Sequence, residues 1–168
     1  AIRFAAQLGF RVEDKTAEAA GELASTLIHI SAERIQAELV KLLVSAHPEQ
    51  IRDACELGIT KVILPEWDAM EGVAQNTPHH RYDVAEHTIH ALKNVKQDKI
   101  LRLTMLFHDM GKPSMKKTDE NGIDHFKGHA LVSEEIARSV MRRLKFDNET
   151  VKKVTRLVCY HDYRIEAT

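Results

Sequence analysis

Apolar residues recur at helical spacing along most of the chain, and the breaks between these runs define the predicted elements. An apolar run over residues 1–10 predicts a first helix. Helical periodicity continues over residues 16–43, where Ser31 is predicted as the N-cap of a helix that ends this stretch. A further helix is predicted over residues 48–57 and ends at Gly58.

The middle of the chain contains a short apolar run and then a break. Residues 59–65 could be taken for a strand, but no partner run exists elsewhere, so this run is predicted as a helix or turn. The segment from Asn76 to His80 interrupts the helical period with a proline among polar residues, which predicts a linker. We therefore expect a helical neck lobe over residues 1–76 and a second helical lobe over residues 77–168.

The second lobe should be helical throughout, and the predicted fold class is all-α. A polar loop is predicted over residues 116–122. Four helices are predicted, over residues 83–96, 98–109, 127–144 and 147–161.

Composition and charge restrict the possible functions. With 24 Lys+Arg and 25 Asp+Glu the formal net charge is -1, so any contact with RNA requires a local basic patch. Cys55 and Cys159 are far apart in sequence, which predicts a reduced, cytoplasmic setting and no disulfide or thiolate zinc site. No run approaches the roughly 18 apolar residues of a membrane span, and no leader is recognisable. The chain begins inside a predicted helix without a methionine, so we expect it to be part of a longer protein.

The distribution of histidines indicates where the chemistry lies. Eight of the ten histidines fall in the predicted second lobe, residues 77–168. One of them, His87, follows Val84 by three residues and precedes Ala91 by four, which places it on the core-facing side of its predicted helix. A single inward histidine can be a hydrogen-bonded core residue or a metal ligand, and His87 alone does not decide between them.

The next predicted helix carries an ionisable pair into the core. Residues 100–107 are apolar nearly all round, and His108 and Asp109 follow directly. An unpaired carboxylate in such a place costs on the order of several kcal/mol, so Asp109 needs a partner. A divalent cation would satisfy Asp109 and the histidines together. Manganese, nickel, cobalt, iron, zinc and magnesium all remain possible.

Later residues extend the predicted ligand set. His129 and His161 are predicted as further ligands. His125 could be a ligand or loop surface, and Asp162 could be a ligand or a solvated end residue. A centre with two cations would need about this many ligands and one bridging carboxylate, for which Asp109 is the natural candidate.

These motifs together resemble a known family. The similarity is to the HD superfamily, and specifically to the HD domain of bacterial class II CCA-adding enzymes and poly(A) polymerases. Residues 1–10 look like the segment after the nucleotide-recognising motif of that family, and residues 30–43 and 64–66 look like parts of its neck domain. The motifs that carry the resemblance are His87, His108-Asp109-Met-Gly-Lys112-Pro, His125-Phe-Lys-Gly-His129 and His161-Asp162.

The departures from the family pattern limit what the resemblance implies. The nucleotidyltransferase head and its nucleotide-recognising motif are absent from this sequence, so we do not expect this chain alone to add nucleotides. Domains of this kind usually complete the ligand set with an aspartate on a later helix. After Asp162 only Glu166 could substitute, and we therefore expect a truncated HD lobe.

Two functions follow from the resemblance. The first is a metal-dependent phosphohydrolase that acts on a phosphorylated nucleotide, either a phosphomonoester or a 2',3'-cyclic phosphodiester, with Asp109 and Lys112 as catalytic residues. Lys112, expected in an exposed turn, would hold a phosphoryl oxygen or be an ordinary surface lysine. The second is a non-catalytic module that binds tRNA or another RNA within the parent protein. A basic run could serve this role or be a solvated face; the predicted RNA contacts are Arg34, Lys41, Arg142 and Arg143.

Overall fold

The computed structural model describes residues 30–78 and 82–162, and this part of the chain is helical apart from one small hairpin. The predicted all-α class is confirmed. The predicted helices over residues 1–10 and in the stretch before residue 30 lie outside the described residues. The elements in chain order are α1 (Ala32–Val44), a 3-10 turn (Pro48–Gln50), α2 (Ile51–Glu56), α3 (Ile59–Ile63), α4 (Pro65–Asp68), α5 (Val84–Asn94), α6 (Lys99–Phe107), α7 (Lys112–Met115), β1 (Lys117–Thr118), β2 (Asp124–His125), α8 (His129–Arg143) and α9 (Asn148–Tyr160).

Side-chain caps set the start of four of the longer helices. The Ser31 hydroxyl accepts from the Arg34 amide at the start of α1, as predicted. Aspartates do the same for three other helices, where they also place negative charge at the positive end of the helix dipole. These caps are Asp83 for α5, Asp98 for α6 and Asp147 for α9.

Helix α6 lies at the centre of the fold. It packs against α1, α5, α8 and α9, which explains why its sequence is apolar on nearly every side. Its Leu103, Leu106 and Phe107 belong to a single cluster of buried apolar residues that extends from Leu39 to Val158. The division into two lobes at residue 76 stays a prediction, because this cluster runs across it.

A buried arginine on α6 forms hydrogen bonds with residues on the other side of the predicted boundary at residue 76. Arg102 on α6 is 3% exposed and donates to backbone carbonyls at the end of α1 and in the turn before α6. Burial lowers the pKa of its guanidinium. The accepting carbonyls are those of Leu43, Ser45, Val95 and Lys96.

The structure differs from the sequence-based expectations at element ends. The helix predicted over residues 98–109 ends at Phe107, and a turn then carries His108 and Asp109. The predicted polar loop contains part of an antiparallel hairpin, in which Lys117 pairs with His125 and Thr118 with Asp124. Strands of two residues are too short to show an alternating pattern, so the sequence could not reveal them. Within the described residues, no helix has the length and apolar character needed to cross a membrane.

Candidate metal centre

Two of the predicted histidines meet at one oxygen of Asp109. His87 projects from the flank of α5, and its Nε2 lies 3.3 Å from Asp109 Oδ2. The Nε2 atom of His108 lies 3.2 Å from the same oxygen. Asp109 itself is 2% exposed, because the turn after α6 points it into the space between α5, α8 and α9.

The other Asp109 oxygen faces two more predicted residues. His129 is the first residue of α8, and its Nε2 lies 3.1 Å from Asp109 Oδ1. His161 follows the last turn of α9, and its Nε2 lies 3.5 Å from the same oxygen. The two imidazoles also face each other, with 3.1 Å between their Nε2 atoms. The structure thus brings together all five predicted metal ligands.

Backbone contacts orient the rings of His108, His129 and His161. In each ring Nδ1 lies at hydrogen-bond distance from the carbonyl oxygen three residues earlier, and a carbonyl can only accept. Nδ1 therefore carries a hydrogen, and in the neutral ring Nε2 presents its lone pair to Asp109. The three carbonyls belong to Met105, Phe126 and Val158, at 2.5, 3.0 and 2.6 Å.

This arrangement needs positive charge between the rings and the carboxylate. Burial raises the pKa of the Asp109 carboxyl, but hydrogen bonds with His108, His129 and His161 outweigh it and hold that pKa well below its usual range. For His161, burial alone would lower the pKa of the imidazole. The hydrogen bond with Asp109 outweighs this effect, and the pKa of His161 is raised. Each Nε2 can approach the carboxylate only with a proton or a metal ion between them.

The donor set fits a divalent cation. Two ligand groups share Asp109: His87 and His108 complete one, and His129 and His161 complete the other, with the ligand atoms of each group within 4.8 Å of one another. Asp109 Oδ2 is fully buried, and the two imidazoles of its ligand group and the Lys112 ammonium lie within 3.3 Å of it. Imidazole nitrogen with carboxylate oxygen suits zinc, iron, manganese, cobalt or nickel better than calcium.

Lys112 does not lie in an exposed turn, and that expectation was wrong. Its side chain is buried, and its ammonium lies 2.7 Å from Gln75 Oε1 and 3.1 Å from Asp109 Oδ2. The turn after Asp109 leads directly into α7, which begins with Lys112 and directs it inward. The sequence reasoning missed Gln75, which is 4% exposed and reaches Lys112 from the segment before the predicted linker.

The sequence left open whether His125 and Asp162 are ligands or surface residues, and the structure places only Asp162 at the cluster. His125 is exposed on β2 and pairs with Asp119 at 2.8 Å, so it lies outside the cluster. Asp162 joins the cluster, with Oδ2 at 3.2 Å from His129 Nε2 and Oδ1 at 3.5 Å from His161 Nε2. The signal that could have found Asp162 is its place after His161, which repeats the His108-Asp109 pair.

A close approach of α8 to the turn after α6 holds these elements in place. Gly111 donates its amide hydrogen to Ser133 Oγ at 2.8 Å. A Cβ atom at Gly111 would lie 2.7 Å from the Ser133 backbone nitrogen and closer still to the His129 carbonyl oxygen. Only glycine permits this contact, which sets His129 opposite Asp109.

The cluster forms the floor of an open pocket of about 820 Å³. Its walls come from α5, α6, the segment before α8 and the first turn of α8. Besides the ionisable cluster and Lys112, apolar surface and a second lysine, Lys127, line the pocket. The lining on the α8 side includes Phe126, Lys127, Gly128, Ala130 and Leu131.

The predicted RNA contacts lie on the surface, away from this pocket. Arg34 and Arg142 are exposed. Lys41 lies 3.8 Å from Glu38. Arg143 makes two hydrogen bonds to the Glu66 carboxylate, at 2.8 and 2.9 Å, and these outweigh the effect of burial and lower the Glu66 pKa.

Comparison with known proteins accounts for this fold and cluster. Residues 77–168 match the HD domain family, and residues 9–71 match a family described as the probable RNA and SrmB-binding site of polymerase A. The chain belongs to the HD domain family. It is homologous over nearly its whole length to CCA-adding tRNA nucleotidyltransferases, which confirms the resemblance found in the sequence.

Three relatives illustrate the match. The CC-adding tRNA nucleotidyltransferase of Thermus thermophilus is 37% identical over 98% of this chain and 40% of its own length. The A-adding tRNA nucleotidyltransferase of Deinococcus radiodurans is 33% identical over 99% of this chain and 41% of its own length. A multifunctional CCA protein of Neisseria gonorrhoeae is 31% identical over 95% of this chain and 40% of its own length. The chain thus spans about two fifths of these relatives.

Proposed function

We propose that the cluster around Asp109 is the metal centre of a phosphohydrolase in a protein that acts on tRNA. One observation carries this proposal: each oxygen of a buried carboxylate faces two imidazole Nε2 atoms, and three of those rings are fixed by backbone carbonyls. Asp109 is the residue through which both ligand groups are joined. A structural salt bridge would not need four histidines around one carboxylate.

The side chains divide the work of such a reaction. A bound divalent cation would lower the pKa of a coordinated water toward about 7 and offset charge that develops on phosphorus. Asp109, His87, His108, His129 and His161 would hold that cation. The carbonyl contacts of the rings keep each Nε2 directed at it and raise its basicity as a ligand.

Lys112 acts on Asp109 in this proposal. Its ammonium is held by Gln75 and lies against Asp109 Oδ2, so it offsets the carboxylate charge and restrains its orientation. An ammonium has three hydrogens, and these two contacts leave one for a phosphoryl oxygen, the role that the sequence predicted for Lys112.

The substrate is a phosphomonoester or a 2',3'-cyclic phosphodiester of a nucleotide. The pocket has room for more than a phosphate group. The relatives of this chain are named for tRNA nucleotidyltransfer. tRNA is therefore the proposed macromolecular partner. A cytoplasmic setting belongs to the same proposal, and the two separate free cysteines favour it.

Hydrolysis of a model phosphodiester, such as bis(p-nitrophenyl) phosphate, and of 2',3'-cyclic AMP tests the proposal. The chain should hydrolyse at least one of them after addition of Mn²⁺, Ni²⁺ or Co²⁺, and Asp109→Asn should abolish the activity. Asp119→Asn is the matched control, because it removes a carboxylate that pairs with a histidine outside the cluster. The enzyme proposal fails if the wild-type chain hydrolyses neither compound with any of these ions, or if Asp109→Asn remains fully active.

A non-catalytic RNA-binding module is the second candidate. The match of residues 9–71 to a probable RNA-binding family supports it, as do the exposed Arg34 and Arg142. RNA binding that is unaffected by metal removal, together with an absence of hydrolysis, would favour this candidate. The two functions do not exclude each other, since the basic residues lie outside the pocket.

A further inference from the structure

The pocket above the metal centre contains two lysines in very different surroundings. Lys112 is 6% exposed, and its ammonium has two polar partners. Lys127 is exposed at the pocket wall and has no hydrogen-bond or ion-pair partner within residues 30–78 and 82–162. An anion that enters the pocket would therefore find the charge of Lys127 available and that of Lys112 already engaged.

The start of α8 lies beside Lys127 in the same wall. Gly128 is its N-cap, with φ of 83°, and no side chain caps the amides of the first turn. Those amides belong to residues that line the pocket, among them Ala130 and Leu131. A helix of 15 residues carries partial positive charge at this end, and uncapped amides there bind anions.

A second feature of the pocket points to a bound ligand. Asp109 is 2% exposed and lines the pocket. Its Oδ2 lies 3.3 and 3.2 Å from the Nε2 atoms of His87 and His108 and 3.1 Å from the Lys112 ammonium, and the two imidazoles with Asp109 form one ligand group for a cation. Asp109 and Asp162 would repel an anion unless a cation lies between them and the anion. The pocket therefore presents acceptors on its floor and donors on its wall, an arrangement that fits a metal ion below and an anion above.

We propose that Lys127 and the first turn of α8 form the subsite for the phosphoryl group of the substrate. This inference rests on the proposed function, since it places the group to be hydrolysed above the metal centre. Lys127 is a binding residue in this account, and Lys112 is a positioning residue for Asp109. The flanking Phe126 and Leu131 leave apolar surface beside the subsite for the rest of the substrate.

Binding of inorganic phosphate to the Mn²⁺-loaded chain tests the subsite without any hydrolysis. Bound Mn²⁺ broadens the ³¹P NMR signal of phosphate that lies close to it, so the titration reports phosphate at the metal centre. Lys127→Met should weaken phosphate binding about tenfold, the factor that corresponds to loss of one charged contact worth about 1.4 kcal/mol. Lys127→Arg should retain most of the affinity, because it keeps the charge.

Lys117→Met is the matched control. Lys117 is exposed on the neighbouring hairpin and does not line the pocket, so its loss should leave phosphate affinity unchanged. Manganese affinity should be the same in all three variants and the wild type. We also expect phosphate binding to require Mn²⁺, because the two aspartates would otherwise repel it.

Several results would contradict the proposed phosphoryl subsite. These are unchanged phosphate affinity in Lys127→Met, an equal loss in Lys117→Met, a parallel loss of Mn²⁺, and the absence of phosphate binding by the Mn²⁺-loaded wild type. Failure of the proposed function would look different: phosphate would bind near Mn²⁺ in a Lys127-dependent way, but no phosphoester would be hydrolysed.

Discussion

Gln75 Oε1 accepts a hydrogen bond of 2.7 Å from the ammonium of Lys112. Gln75 lies between the two family segments, residues 9–71 and 77–168, and its amide nitrogen also donates to the Tyr82 carbonyl at 3.0 Å. The segment between the family domains is thus tied to the residue that contacts Asp109. A side chain from outside the HD domain match thus contacts the lysine that lies beside Asp109.

Gln75→Leu should therefore destabilise the chain. The substitution leaves a buried ammonium with one polar partner fewer, which costs about 1–3 kcal/mol. Gln75→Glu keeps an acceptor for Lys112 and should cost less. Urea unfolding of both variants measures the difference, and a Gln75→Leu chain as stable as the wild type would show that Lys112 does not need this partner.

Gly111→Ala should lower the free energy of unfolding more than Gly122→Ala, and the two substitutions act through different causes. A methyl group at Gly111 would collide with the backbone of α8, and overpacking of this kind costs about 1–3 kcal/mol or more. At Gly122 there is open space but φ is 76°, which costs an alanine about 1–2 kcal/mol. Metal affinity should fall only in Gly111→Ala, since His129 would move. Urea unfolding and metal titration of both variants check this order, and the reverse order would contradict the close approach described here.

Arg142 and Arg143 should differ in their effect on RNA binding. Arg143 is paired with Glu66, whereas Arg142 is exposed and has no described partner. Arg142→Met should weaken tRNA binding and reduce the slope of log affinity against log salt by about 1. Arg143→Met should change tRNA binding less and cost about 0–1 kcal/mol of stability. Filter binding at several salt concentrations tests this, and equal losses would show that the ion pair opens for RNA.

Asp124 should make the stability of the hairpin region depend on acid pH. Its carboxylate accepts from Thr118 and from the Asn76 amide and pairs with Lys116, and these contacts lower its pKa. A lowered pKa in the folded state means that the stabilisation is complete above the unfolded-state value of about 3.9 and is lost as pH falls through the folded-state value.

Asp124→Asn should consequently reduce stability at pH 7 and reduce it less at pH 3. Urea unfolding of the wild type and the variant at both values gives the two differences. The same difference at pH 7 and pH 3 would mean that the charge of Asp124 contributes nothing.

The sequence could indicate which side chains converge on Asp109, because burial and helical phase act locally. An apolar helix that ends in His108-Asp109 leaves few positions for the carboxylate except the core, and His87 lies on the core-facing side of its own helix. The His125–His129 pair and the His161-Asp162 pair then added His129 and His161. Their roles as ligands remain predictions, although the structure places all five around one point.

Other features could not be predicted from local pattern. The contact between Lys112 and Gln75 joins residues 37 positions apart, and a Gly-Lys-Pro turn gave no sign that its lysine is buried. Arg102 was hidden in an apolar helix, because its partners are carbonyls from α1 and from the turn before α6. The contact of Asp162 with His129 depends on where the end of α9 lies relative to α8, which is a property of packing.

Metal content measured by elemental analysis is the most direct test of the central claim. After exposure to Mn²⁺, Ni²⁺, Co²⁺, Fe²⁺ or Zn²⁺ and removal of excess ion, the wild-type chain should retain at least one ion, and Asp109→Asn should retain far less because both ligand groups lose their shared carboxylate. Asp119→Asn should retain as much as the wild type. A wild-type chain that retains none of these ions, or an Asp109→Asn chain that retains as much as the wild type, would contradict the metal centre.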